Sequence, residues 1–158
     1  MQDLISELYG NRLRVRACGI CIQEGKLLLV NHHSISKADF WAPPGGGISI
    51  GETAQSCISR EFQEETGLSV SVGQFLFAGE FVNPPLHAIE LFFEVSILGG
   101  TLAVGRDPEM DNQTQIIQEV RFLSEAEIKS MKSSALHGLF QMATDPGKIL
   151  HLKGYFKL

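Results

Sequence analysis

The chain has 158 residues, 44% of them hydrophobic and 20% charged, with a net charge of −5. That length can bury a sizeable core, so one domain over 1–158 is expected, and the composition excludes a low-complexity chain. The acidic balance argues against nucleic acid as a partner, which needs a basic face. No apolar run is long enough to span a bilayer, and residues 1–7 lack the basic-then-apolar pattern of a secretory signal. The expectation is therefore a cytoplasmic protein with no membrane partner.

Leu4, Ile5 and Leu8 have helical spacing and indicate a short N-terminal helix. Residues 14–23 and 26–32 read as two strands of a hairpin turned at Glu24-Gly25, apolar enough for a sheet covered on both faces. Cys18 and Cys21 have the spacing of redox and zinc motifs. On a strand, however, they point to opposite faces, and no second Cys/His pair completes a tetrahedral site. Core packing is expected of both. Residues 34–39 read as an exposed loop. Phe40-Trp41-Ala42 then leads into Pro43-Pro44-Gly45-Gly46-Gly47, through which no regular element is expected to run.

Residues 53–66 form the clearest helix, with Thr53 as N-cap and Gly67 as the left-handed residue that ends it. Residues 70–82 and 87–98 follow as strands separated by Asn83-Pro84-Pro85, and Gly99-Gly100 reads as a turn into a strand over 101–104. Residues 105–112 are a charged loop and 115–123 another strand, after which Ser124 and Glu127 form a capping box. Leu136, Leu139, Phe140 and Ala143 recur at helical spacing and should pack on the sheet. The apolar, basic tail 148–158 suits a last strand or a homodimer contact. This order predicts an α/β fold with helices on both faces of a mixed sheet.

The 53–66 helix carries an unusual charge pattern. At about 100° per residue, Ala54, Cys57, Ile58 and Phe62 share one apolar stripe; Glu61 and Glu65 fall in its middle and Glu64 at its edge. A solvated charge run would lie on the opposite side. Glu61 and Glu65 are also a like-charge i,i+4 pair, near a helix end whose dipole is itself negative. Folding alone does not favour this cluster, whereas a cation would. All-oxygen ligands select hard ions, Mg²⁺ or Mn²⁺.

The string Gly46-(five residues)-Glu52-(seven residues)-Arg60-Glu61-Phe62-Gln63-Glu64-Glu65-Thr66-Gly67-Leu68 resembles, position by position, the signature of the Nudix hydrolases. The departure is Phe62, where the family usually has an aliphatic residue. Seven such fixed positions coincide by chance at roughly 10⁻⁹ per starting point. The resemblance implies a Nudix-type α/β/α sandwich and Mg²⁺- or Mn²⁺-dependent hydrolysis of a diphosphate bond in a small nucleotide. It assigns metal ligation to Glu61, Glu64, Glu65 and the carbonyl of Gly46, and the orienting of a ligating glutamate to Arg60. Catalysis would rest on Glu61, Glu65 and Arg60, with Glu61 the first candidate for the base. Other members place the base on a distant loop, where Glu109, Asp111 or Glu119 would stand; each also reads as structural. Glu52 and Gly67 would be structural parts of the motif. Gly45, Gly46 and Gly47 would form the substrate loop, since backbone there can approach phosphate without Cβ clashes. The loop lacks the Gly-Lys-Ser/Thr ending of a nucleotide P-loop.

Substrate readers are less marked. His32 and His33 face opposite ways on a strand end and cannot chelate together; these and His87 also read as surface histidines. Trp41 suits base stacking or the core. Arg14, Arg16, Lys37 and Arg106 are candidate phosphate partners that the sequence does not rank. Pro84 lies sixteen residues past Leu68, where Nudix members acting on ADP-ribose often carry proline; nucleoside triphosphates are the main alternative. The tyrosine of dinucleoside polyphosphate hydrolases and the extra motif of coenzyme A-cleaving members are absent. A rival from another class is a non-catalytic Nudix-fold nucleotide sensor.

Overall fold

The computed structural model describes residues 2–33, 38–105 and 117–158, with side chains from residue 6 onward. A helix, α1 (Gln2–Tyr9), leads into β1 (Arg12–Gln23) and β2 (Lys26–His32). The two strands pair antiparallel, Ile22 opposite Leu27. Glu24 and Gly25 turn the hairpin with positive φ of 51° and 74°, a conformation whose twist matches that of the flanking strands. Short strands β3 (Trp41–Ala42) and β4 (Gly45–Gly47) precede helix α2 (Ala54–Thr66). The long strands β5 (Leu68–Asn83) and β6 (Leu86–Gly100) then pair antiparallel around Pro84-Pro85. Strand β7 (Ile117–Leu123), helices α3 (Glu125–Ser130) and α4 (Pro146–Ile149), and strand β8 (Gly154–Lys157) follow. Among the described residues, the strands form one mixed sheet ordered β3-β2-β1-β6-β5-β8, with β4 on β1 and β7 on β2.

Two cores lie on opposite faces of this sheet, and the period-two alternation of β1 and β2 separates them. Ala17, Cys21, Leu28 and Val30 pack with Cys57, Ile58 and Phe62 of α2. Cys18, Ile20, Leu27 and Leu29 pack with Ile128 of α3, Leu139, Phe140 and Ile149 of α4. The sheet is thus covered on both sides, as its apolar strands require. Cys18 and Cys21 enter different cores, and both are free thiols, as is Cys57. The helix caps agree with the residue types: Thr53 accepts from the Ser56 amide at 3.1 Å, Gly67 turns with φ of 73°, and Ser124 with Glu127 closes a capping box.

Three expectations are corrected. The glycine run is not free of regular structure, because Gly45, Gly46 and Gly47 pair antiparallel with Cys18, Ala17 and Arg16. A Cβ on Gly45 would stand 2.4 Å from the Ala17 carbonyl oxygen, so the missing side chain is what lets the backbones meet. Residues 101–104 form no strand. Strand β6 continues to Gly100, and the chain then returns to the end of α2, where the amides of Ala103 and Gly105 donate to the carbonyls of Thr66 and Glu65 at 3.0 and 2.9 Å. Unsatisfied carbonyls at a helix end need such partners, and this need wins over the turn propensity of two glycines. Finally, residues 136–143 are not one helix. A 3-10 turn covers only Gly138–Gln141, yet Leu139 and Phe140 are buried on the sheet as their spacing anticipates. The tail resolves into a strand, β8, parallel to β5.

Candidate active site

Helix α2 buries Cys57, Ile58, Phe62, Glu65 and Thr66, so one carboxylate does occupy the apolar stripe. Glu65 is 4% exposed. Its Oε1 accepts from the Gly45 amide at 2.9 Å, an interaction that β4 makes available by sitting against β1. Its Oε2 is buried without an aligned hydrogen bond, although His32 Nε2 lies 3.3 Å away. Glu61 packs its carboxylate onto Gly46, where a Cβ would meet Oε1 at 2.1 Å.

Arg60 ties the acidic residues together. It donates from Nε and Nη2 to the two oxygens of Glu52 at 2.7 and 3.1 Å, and from Nη1 to Glu61 Oε1 at 2.8 Å and Glu64 Oε2 at 3.2 Å. Its Nη2 also reaches the Gly47 carbonyl at 3.3 Å, and Glu52 Oε2 accepts the Ser49 amide at 3.0 Å. The fork geometry of a guanidinium suits this bridging role. The carboxylates raise the Arg60 pKa above its ordinary value, led by the hydrogen bond to Glu52. Burial, and then the Glu65 charge, push Glu61 up to about 7 despite Arg60.

One guanidinium therefore ties three carboxylates, Glu52, Glu61 and Glu64. Among the described residues, no three His, Cys, Asp or Glu side chains converge into a ready metal cage; Arg60 draws Glu61 and Glu64 to itself, and Gly45 holds Glu65. The donor set nonetheless suits a hard divalent ion. It offers only oxygens: Glu65 Oε2 is buried without an aligned hydrogen bond, and the missing Cβ of Gly46 lets the Glu61 carboxylate lie against that backbone.

The remaining sequence candidates are dispersed. His33 bonds Asp39 at 2.7 Å and His87 bonds Glu80 at 2.7 Å. Trp41 is in the core at 4% exposure, and Glu119 forms an exposed pair with Arg121 at 3.3 Å. Lys37, Arg106, Glu109 and Asp111 lie outside the described residues.

Arg14 and Arg16 acquire a place that their sequence context did not show. They stand on the face of β1 shared with Cys18 and Ile20 and line a cavity of about 330 Å³. Its walls include Phe40, Phe81, Leu86, Leu136 and Leu158, with Glu90 and His137 also lining it. Arg16 Nη2 reaches the Gly45 carbonyl at 3.4 Å, so the cavity abuts the glycine strand that also contacts Glu65. Arg14 stacks over the Tyr9 ring, 4.3 Å from its centroid. Leu158 fills the space beside two glycines: a Cβ on Gly79 would lie 2.6 Å from its Cδ1, and one on Gly138 3.3 Å from its Cβ. A second cavity, of about 360 Å³, lies between Ile20–Gln23, Glu94–Ile97 and Leu150, and its lining includes neither an arginine nor a lysine.

Sequence reasoning missed Glu90, His137 and Leu158. Glu90 carried a signal, because it is an acid inside the apolar run Ala88-Ile89-Glu90-Leu91-Phe92, and buried charges are almost always paired. It is 4% exposed. Burial pushes its pKa up, but His137 and then Arg16 outweigh that and hold it at about 2, against an ordinary 4.5. Between those values the unfolded chain binds the proton and the folded one does not. This contribution is therefore complete above pH 4.5 and is lost as pH falls to about 2. Glu90→Gln is expected to flatten the acid limb of stability by up to about 3 kcal/mol, read by urea unfolding at pH 2.5 to 5.5 beside wild type. Parallel acid limbs would contradict this account of Glu90.

Known proteins are similar to this chain at several levels. The NUDIX domain family model matches residues 10–141. An ADP-ribose pyrophosphatase of Methanocaldococcus jannaschii is 33% identical over 91 residues, covering 56% of this chain and 54% of that protein. A MutT-like protein of Streptomyces ambofaciens is 32% identical over 88 residues, 54% of this chain and 53% of that protein. The chain thus spans about half the length of the curated relatives it matches. A solved NUDIX hydrolase from Nitrosomonas europaea superposes with a TM-score of 0.70 at 20% identity, over 87% of this chain and 89% of that one. The likeness in fold extends to the α/β architecture.

Proposed function

The chain belongs to the Nudix hydrolase family, and on that premise we propose that it cleaves the diphosphate bond of an ADP-ribose-like nucleoside diphosphate derivative with Mg²⁺ or Mn²⁺. The observation that carries this reading is a surplus of buried and half-buried carboxylates on α2, joined through Gly45 to a cavity lined by two guanidiniums. Glu61, Glu64 and Glu65, with the Gly46 carbonyl, would hold the ion. Bound there, the ion supplies charge neutralisation on the diphosphate and makes a water acidic enough to attack phosphorus.

The protein's own groups do the rest. Arg60 fixes the angle of the Glu61 and Glu64 carboxylates, and Glu52 braces Arg60 from the other side. Glu61 accepts the proton of the attacking water at Oε2, the oxygen not bonded to Arg60. Gly45 orients Glu65 through its amide. Arg14 and Arg16 meet the phosphate chain, while Phe40, Phe81 and Leu86 take the nucleoside by apolar contact. Pro84 belongs to the turn that delivers Leu86 to this wall. That placement, with the ADP-ribose pyrophosphatase among the curated relatives, supports ADP-ribose-like substrates. The MutT-like relative supports nucleoside triphosphates as the second reading.

The test is a panel of ADP-ribose, other nucleoside diphosphate sugars and nucleoside triphosphates, assayed with Mg²⁺, Mn²⁺ or EDTA and with products resolved. The expected result is AMP and ribose 5-phosphate from ADP-ribose, abolished by EDTA. Preferential pyrophosphate release from triphosphates would move the assignment to the second reading. Nucleotide binding without turnover of any substrate would indicate a sensor and sink both.

A further inference from the structure

Glu90 is an expensive residue at its position: a buried carboxylate in an apolar strand must be compensated. It lies directly across from Arg16 in the parallel register of β1 and β6. Its Oε1 accepts from Arg16 Nη1 at 3.0 Å, and its Oε2 stands 2.5 Å from His137 Nε2. The Leu139 amide donates to His137 Nδ1 at 3.0 Å. Nδ1 accepts there, so Nε2 is the ring nitrogen that donates to Glu90. The edge-on ring of Phe92, at 5.7 Å, holds the imidazole plane. Both carboxylate oxygens and both ring nitrogens thus have partners within the protein. What the pair presents to the cavity is a guanidinium of fixed orientation, whose other arm reaches Gly45 at 3.4 Å.

A buried ion pair is weak evidence of a stabilising role, since well-packed apolar residues do as well or better. A pre-set arginine has a different value. Its fork binds an anion without first losing the rotamer freedom of a long side chain. We propose that Glu90 and His137 are positioning residues, which clamp the Arg16 guanidinium at the junction of cavity and glycine strand so that it engages the anionic phosphate chain of the substrate. This inference rests on the hydrolase reading given above.

The experiment measures ADP-ribose kinetics with Mg²⁺, together with calorimetric binding of the non-hydrolysable α,β-methylene analogue, for wild type, His137→Ala, His137→Gln, Arg16→Ala and the double variant His137→Ala/Arg16→Ala. His137→Ala is expected to raise KM and the analogue Kd about tenfold while lowering kcat far less. His137→Gln, which can still donate to Glu90, should recover most of that loss. In the Arg16→Ala background, His137→Ala should have almost no further effect on either constant, because its influence passes through Arg16. A merely structural histidine would instead give additive losses and no rescue, and that result overturns the proposal. If His137→Ala does not fold, Arg16→Lys stands in for it; unaltered KM and Kd with the fork removed would also overturn it. A wild type that binds the analogue but turns over no nucleotide defeats the hydrolase reading alone, with the clamp still judged by Kd. A wild type that does not bind the analogue defeats the clamp.

Discussion

Replacing Glu65 or Glu61 by glutamine is expected to lower kcat by at least about a hundredfold, with circular dichroism unchanged and a melting temperature equal to or above that of wild type. The two halves of this result have a common cause. Glu65 is buried beside Glu61, and the Glu61 pKa is raised to about 7 first by burial and then by the Glu65 charge. Glutamine keeps the shape and, at position 65, an oxygen for the Gly45 amide. It removes one of two like charges that oppose each other four residues apart. Stability should therefore be retained or gained where activity is lost, as expected of a site whose charges serve chemistry rather than folding. Coupled measurement of turnover and thermal unfolding checks both halves. Near wild-type turnover in both variants would remove α2 from the reaction, and a large fall in melting temperature would show that the carboxylates hold the fold.

Phe62→Ala is expected to have the largest effect on stability, about 3–5 kcal/mol, or a fall in melting temperature of roughly 6–20 °C. Phe62 is fully buried at the centre of the α2 core. The ring occupies space left by Gly19: a Cβ there would stand 2.4 Å from the Phe62 ring and 2.6 Å from Val95. This explains why an aromatic residue stands where the family signature usually has an aliphatic one. The absent side chain on β1 and the larger one on α2 are complementary volumes, so alanine leaves a cavity that a close-packed interior cannot readily close. Thermal unfolding of Phe62→Ala beside Phe62→Leu measures this. A shift below about 2 °C for alanine would mean that the site collapses around the truncation.

The parts of the structure that were legible in the sequence are those set by neighbours along the chain. Thr53 and Gly67 delimit α2 through local caps, Glu24-Gly25 turns its hairpin locally, and the stripe count on α2 anticipates the burial of Glu65. The parts that were not legible depend on distant partners. Gly45–Gly47 become a strand only because β1 lies alongside. Residues 101–104 leave the sheet because the end of α2, more than thirty positions back, needs donors. The helical spacing of Leu136, Leu139 and Phe140 met Gly138, whose missing Cβ makes room for Leu158. The cavity was hidden for the same reason, since its walls come from β1, Phe40, β5, β6, the 136–138 turn and Leu158.

That division has a consequence for how such a protein diversifies. No wall of the cavity is contributed by α2, and the carboxylates are held by Arg60, Gly45 and Gly46 without help from Phe81, Leu136 or Leu158. Substitutions at the rim, including the final residue of the chain, can alter the shape offered to a ligand while every acidic group keeps its place. On the proposed reading, substitution at a few peripheral positions can change ligand choice without disturbing the acidic cluster of α2. On that reading, one acidic helix is compatible with cavities of different shape.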